Sequence, residues 1–156
     1  MKIGEALALL KSKKSRISKL LDQRKESFYV DKGDKPSFNF EEITIEIDRE
    51  SDNLLNIKLE IIKANSEMPI DDSPSPDSLQ KTILEIGELR SYLANLDELM
   101  KKPEERWSAH EIKPKTPQIS LQELDKQIQS TAQKKSVLDA KLQAANWKNS
   151  ITIELK

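Results

Sequence analysis

Asn39-Phe40-Glu41-Glu42-Ile43-Thr44-Ile45-Glu46-Ile47 opens the stretch that decides the fold, and it runs on to Met68 without a glycine or a proline. Phe40, Ile47, Leu54, Ile61 and Met68 recur at strict seven-residue intervals. Ile43, Ile57 and Ala64 fill the companion position, which Glu50 interrupts. That spacing is the seam of a helix packed along another helix. Its start is written in the same residues. Asn39 is placed to cap the helix, Glu42 stands at the third helical position to complete a capping box, and Phe38 and Ile43 have the spacing of a hydrophobic staple. Ile45, Leu55, Leu59 and Ile62 lie off the seam, so this helix is expected to touch more than one neighbour.

Upstream, residues 3–28 carry a matching pattern. Ile3, Leu10 and Ile17 form one line, widened by Ala6, Leu7, Leu20 and Leu21. Lys13 and Arg24 interrupt it, as side chains do when their stems pack and their charged ends reach water. Asp31-Lys32-Gly33-Asp34-Lys35-Pro36 then turns the chain, glycine tolerating positive φ and proline disfavouring a helical residue before it. The first helix is basic, with Lys2, Lys11, Lys13, Lys14, Arg16, Lys19, Arg24 and Lys25 against Glu5 and Asp22. The second is acidic, with Glu41, Glu42, Glu46, Asp48, Glu50, Asp52 and Glu60 against Arg49 and Lys58. Alone, the basic run would suggest nucleic acid or an anionic membrane. Beside an acidic helix of similar length it predicts an antiparallel hairpin with complementary charges, and nucleic-acid binding is not expected.

Downstream, Met68-Pro69-Ile70-Asp71-Asp72-Ser73-Pro74-Ser75-Pro76 reads as a linker that ends in a helix cap at Ser75. A third helix is expected over 76–101 on Leu79, Ile86, Leu93 and Met100, supported by Ile83, Leu89 and Leu96. Lys101-Lys102-Pro103 stops it. Residues 102–119 hold three prolines and no heptads. A fourth helix, over 120–146, begins at a Ser120-x-x-Glu123 box with an Ile119–Leu124 staple. It continues in three- and four-residue steps through Leu121, Leu124, Ile128, Thr131, Lys135, Leu138, Leu142 and Ala145. Ile151-Thr152-Ile153-Glu154-Leu155 alternates like a short strand.

The composition fits extended helices. Of 156 residues, 36% are apolar, 34% charged and only 4% aromatic, with three glycines and a net charge of −1. Narrow apolar stripes suit such a chain better than the two apolar layers of a sheet domain. Cysteine is absent, which removes disulfides, thiol nucleophiles and thiolate metal sites. Leu7-Ala8-Leu9-Leu10 runs straight into Lys11, Lys13 and Lys14, unlike a secretory signal, and no segment approaches the roughly 20 apolar residues that span a bilayer. The expected location is the cytoplasm.

No residue set points to a reaction. His110 is the single histidine, and Trp107 stands where a carboxylate-bridged di-iron bundle would carry its carboxylate. Glu41-Glu42, Asp71-Asp72 and Glu104-Glu105 resemble acid/base pairs but read as helix-start and linker acids. There is no glycine-rich phosphate loop, zinc-ligand spacing or nucleophile elbow. Trp107 and Trp147 read as packing residues, with interface anchoring as the alternative.

Several stretches occur in the same order in small bacterial proteins of the septicolysin-like family. They are Ala6-Leu7 with the basic helix that follows, Val30-Asp31-Lys32-Gly33-Asp34-Lys35-Pro36, Ile61-Ile62-Lys63-Ala64-Asn65, Arg106-Trp107-Ser108-Ala109-His110-Glu111-Ile112-Lys113 and Leu142-Gln143-Ala144-Ala145-Asn146-Trp147. The chain resembles that family over nearly its whole length. It departs after Trp147, where Lys148-Asn149-Ser150-Ile151-Thr152-Ile153-Glu154-Leu155 replaces the shorter Thr-Thr-Glu-Leu. The resemblance implies a compact bacterial helical protein, and the family label suggests a cytolysin.

Together these readings predict one all-α domain over 1–156. Long antiparallel coiled-coil hairpins should make a four-helix arrangement, with a short β-ribbon between 110–119 and 150–155. Apolar stripes this long on so thin a core call for self-association as a homo-oligomer. The expected role is a scaffold or interaction protein, with no enzymatic activity, cofactor or metal. The alternative is a membrane-active protein using the basic first helix. Trp107, Glu111, Ile112, Asn146 and Trp147 are the candidate interface residues.

Overall fold

A computed structural model describes residues 1–101 and 116–155. The fold is all-α, with four long helices and no sheet among those residues: α1 (Ile3–Phe28), α2 (Phe40–Glu67), α3 (Leu79–Met100) and α4 (Leu121–Lys148). The chain divides into two compact units, Met1–Leu79 with Gln143–Lys156, and Gln80–Leu142.

In the first unit the turn chemistry works as the sequence implies. Gly33 takes φ +105°, and Asp34 N–H donates to Asp31 C=O at 3.0 Å. Asn39 Oδ1 then caps α2, accepting from the N–H groups of Glu41 and Glu42 at 3.0 and 3.3 Å. Glu42 completes the cap by a different route from the usual box: its carboxylate accepts from the Asn39 side-chain amide at 3.3 Å. α1 and α2 pack as an antiparallel pair, since Lys13 meets Glu50 near the middle while Phe28 meets Phe40 at the turn. Ile3, Ala6 and Leu20 of α1 are buried, as are Ile43, Ile47, Ile57, Ile61 and Ala64 of α2. Full burial of one such isoleucine is worth about 1.5–3 kcal/mol, so this seam carries the hairpin.

α3 starts later than expected. Ile70 N–H donates to Asp77 C=O at 2.8 Å and Leu79 N–H to Met68 C=O at 2.9 Å, giving an antiparallel bridge between Pro69 and Ser78. Those bonds hold Asp77 and Ser78 extended, so the first helical turn does not form at Pro76 and begins at Leu79.

The tail also differs from expectation. Its backbone partners are at the opposite end of the chain: Ile151 N–H donates to Met1 C=O at 2.8 Å, the Met1 amine to Ile151 C=O at 2.8 Å, and Ile3 N–H to Asn149 C=O at 3.2 Å. Lys2 bridges Ser150. The expected ribbon partner is not used by the described residues 116–119, which contain no strand, and residues 110–115 lie outside the described set. The start of α1 leaves the Met1 C=O and the Ile3 N–H without helical partners, and the tail satisfies them.

In the second unit Thr82, Ile86 and Leu96 of α3 and Leu124 and Thr131 of α4 are buried. Ser120 Oγ caps α4, accepting from Glu123 N–H at 3.1 Å.

Two helical glycines have opposite surroundings. A Cβ on Gly87 would meet nothing within 4 Å, whereas one on Gly4 would stand 2.9 Å from the indole Cε2 of Trp147. Helix propensity alone favours alanine over glycine by about 1 kcal/mol. Gly87→Ala should therefore raise the thermal midpoint, while Gly4→Ala should lower it and displace the indole. A rise at both positions, followed by far-ultraviolet circular dichroism, would refute the close packing of Trp147 on Gly4.

Candidate interaction surface

The hairpin is held in register by a polar cluster inside its apolar seam. Glu50 is buried to 3% exposure on α2. Its Oε2 lies 2.6 Å from Lys13 Nζ, and its Oε1 lies 3.7 Å from Arg16 Nε and 4.0 Å from Arg49. The Lys13 contact is ionic, without the direction of a hydrogen bond. Arg16 also donates to Glu46. That hydrogen bond, with the charges of Glu46 and then Glu50, holds the Arg16 guanidinium above its ordinary range. A buried carboxylate is costly unless cations stand against it. The two interruptions of the seams, Lys13 and Glu50, thus answer each other.

This cluster bears on the basic first helix. Lys13 and Arg16 face the acidic residues of α2, Arg16 while still exposed, and Lys11, Lys14, Lys19 and Lys25 are exposed α1 cations as well. Within α1 itself, Phe28 at the turn is the one aromatic residue.

The outward surfaces are more informative. On α2, Ile45, Leu55, Leu59 and Ile62 are 69%, 53%, 53% and 59% exposed, although the opposite face of the same helix is buried. Leu55, Leu59 and Ile62 follow the four- and three-residue steps of one helical stripe. Beside them, Asn56, Leu59 and Glu60 line an open groove of about 390 Å³ whose other wall is Thr152 and Glu154 of the tail. At the hairpin turn Phe28 packs edge-on against Tyr29, with ring centres 4.8 Å apart, and lies 5.7 Å from Phe40. All three rings are exposed, Tyr29 the most. Among the described residues, no group of three or more histidine or acidic side chains is placed to hold a metal ion.

Of the candidate interface residues, Asn146 and Trp147 sit in the last turns of α4. Asn146 is half-buried, and Trp147 lays one side of its ring on Gly4 while remaining 57% exposed. Lys148, the next residue, pairs with Asp72 of the loop before α3 and accepts at its carbonyl from Lys2 Nζ at 2.6 Å. Trp107, Glu111 and Ile112 lie outside the described residues, as do His110 and Glu104-Glu105. Residue spacing did not mark Glu50 as anything beyond a break in the seam. Its signal was a second break, Lys13, at the facing position of the neighbouring helix.

The model of a family of unknown function matches residues 11–151. The fold is similar to that in the crystal structure of a functionally unknown conserved protein from Corynebacterium diphtheriae. The two share 23% identity over 97% of this chain and 99% of that one, with a TM-score of 0.81. A comparison with curated proteins finds no match.

Removing the buried carboxylate leaves Lys13 facing the seam without its counter-charge, a change that typically costs about 3–5 kcal/mol when a buried pair is broken. Glu50→Ala should fall toward the lower end of that range, because Lys13 reaches solvent. The double substitution Lys13→Met with Glu50→Leu should recover most of the loss. Urea denaturation of the two variants checks both; equal destabilisation of single and double variants would show that the cluster contributes packing volume rather than charge pairing.

Proposed function

The chain belongs to DUF6847, a family of unknown function, and we propose that within it this protein is a scaffold or interaction protein that works by self-association through its helices. The observation that carries this reading is the apolar outer stripe of α2, Leu55, Leu59 and Ile62, exposed on a helix whose inner face is already buried. Helices that are apolar on two faces serve two neighbours, and the chain supplies α2 with α1 on one side. Covering three large aliphatic side chains removes apolar surface from water at about 25 cal/mol per Å², a gain open to a second helix laid along the stripe. Symmetric pairing of like chains is the commonest way to achieve it.

The alternative of a membrane-active protein, which the septicolysin-like resemblance brings with it, draws on the cations of α1. Lys13 and Arg16 face Glu46 and Glu50 instead. No helix among the described residues is long and apolar enough to cross a membrane. The exposed aliphatic stripe of α2 is what favours the scaffold reading.

Light scattering behind a sizing column tests it. The unmodified protein should rise above its 17.9 kDa monomer mass as concentration increases through the micromolar range. Leu59→Glu should keep its helicity and elute as a monomer. A strict monomer for the unmodified protein throughout that range would overturn the proposal.

A further inference from the structure

Resting on the reading of α2 as a self-association surface, the charges bordering its stripe fix the orientation of the partner. Asp52 stands one turn before Leu55, and Lys63 one turn after Leu59; both are exposed. Eleven residues separate them, about three turns, so they lie on nearly the same line along the helix. The apolar stripe is thus bracketed by an anion at one end and a cation at the other. We infer that the partner is the α2 helix of a second copy, running antiparallel about a two-fold axis near the middle of the stripe.

Reversal is what makes the surface complementary to itself. With the second helix antiparallel, Asp52 of each copy faces Lys63 of the other, and the two sets of Leu55, Leu59 and Ile62 interleave between these pairs. A two-fold contact is isologous, so the ion pair is made twice from one pair of residues. In a parallel arrangement each residue would meet its own copy, setting Asp52 against Asp52 and the exposed Asp48 against Asp48 along the same face. Like charges at an interface penalise that alternative and select the reversed one. Because the stripe is short and its ion pairs are peripheral, the charges govern orientation and the aliphatic residues supply most of the affinity.

Charge reversal with mixing tests this. Asp52→Lys places cations at both ends of the stripe, and Lys63→Asp places anions at both ends. Each variant alone should dissociate at least about tenfold more readily than the unmodified protein, in line with the cost of like charges at an interface. Mixed one to one, they should form a heterodimer in which both cross-pairs are restored. Asp52→Lys combined with Lys63→Asp in one chain should dimerise as the unmodified protein does. Circular dichroism confirms that each variant is folded, both positions being exposed. If the unmodified protein dimerises but the two single variants fail to pair on mixing, the antiparallel register is wrong while the self-association reading stands. A monomeric unmodified protein would remove both.

Discussion

A single buried carboxylate determines how the first two helices meet. Apolar layers give the α1–α2 hairpin its stability, but isoleucine and leucine repeated every seven residues also fit when the helices slip by one heptad. Glu50 does not tolerate that slip. Moved by seven residues, it would leave Lys13 and lie beside Ala6 or Leu20, where no cation compensates a desolvated charge. The cluster contributes little net energy, since desolvation offsets most of the attraction. Its effect is selective: the misaligned hairpins are raised far more than the aligned one is lowered. This is the registry role in which buried polar groups of helical pairs are best attested.

The fixed register also decides what remains on the outside. With Ile43, Ile47, Ile57 and Ile61 directed at α1, the geometry of a 3.6-residue helix carries Leu55, Leu59 and Ile62 to the far side. Their exposure is therefore a consequence of the inner seam and of residue spacing, and it holds as long as Glu50 holds the alignment. The same logic places Phe28 and Phe40 side by side at the turn, where the helices end at matching heights.

Much of the architecture was readable in the residues because it rests on local signals. Asn39 and Ser120 cap the helices they precede, Gly33 takes the positive φ the turn requires, and the alternating steps of α4 from Leu124 to Ala145 correspond to its less exposed positions. The misjudged features depend on partners distant in sequence. Ser75-Pro76-Asp77 has every mark of a helix start, yet Asp77 is drawn into a bridge with Ile70, and nothing within the tripeptide announces that. Ile151 to Leu155 alternates like a strand, and alternation indicates an extended segment without naming the edge it joins. The same limit applied to the outer surface. That Ile45, Leu55, Leu59 and Ile62 leave the seam was visible from periodicity, whereas Trp147 on Gly4 was not, because a glycine near a helix start gives no hint of a ring resting on it.

The meeting of Met1 with Ile151 carries a kinetic consequence. These residues are 150 positions apart, and the chain entropy of closing so large a loop is about 4 kcal/mol. A pair of backbone hydrogen bonds, each worth about 1 kcal/mol net, does not offset that by itself. The contact becomes favourable only after the intervening helices have shortened the loop and brought Trp147 against Gly4. It belongs to the last events of folding, and in the native protein it is the seam at which transient opening starts. Amide protons of Ile3 and Ile151 accordingly exchange with solvent by local fraying, whereas those of the middle turns of α1 and α2 wait for the hairpin itself to come apart.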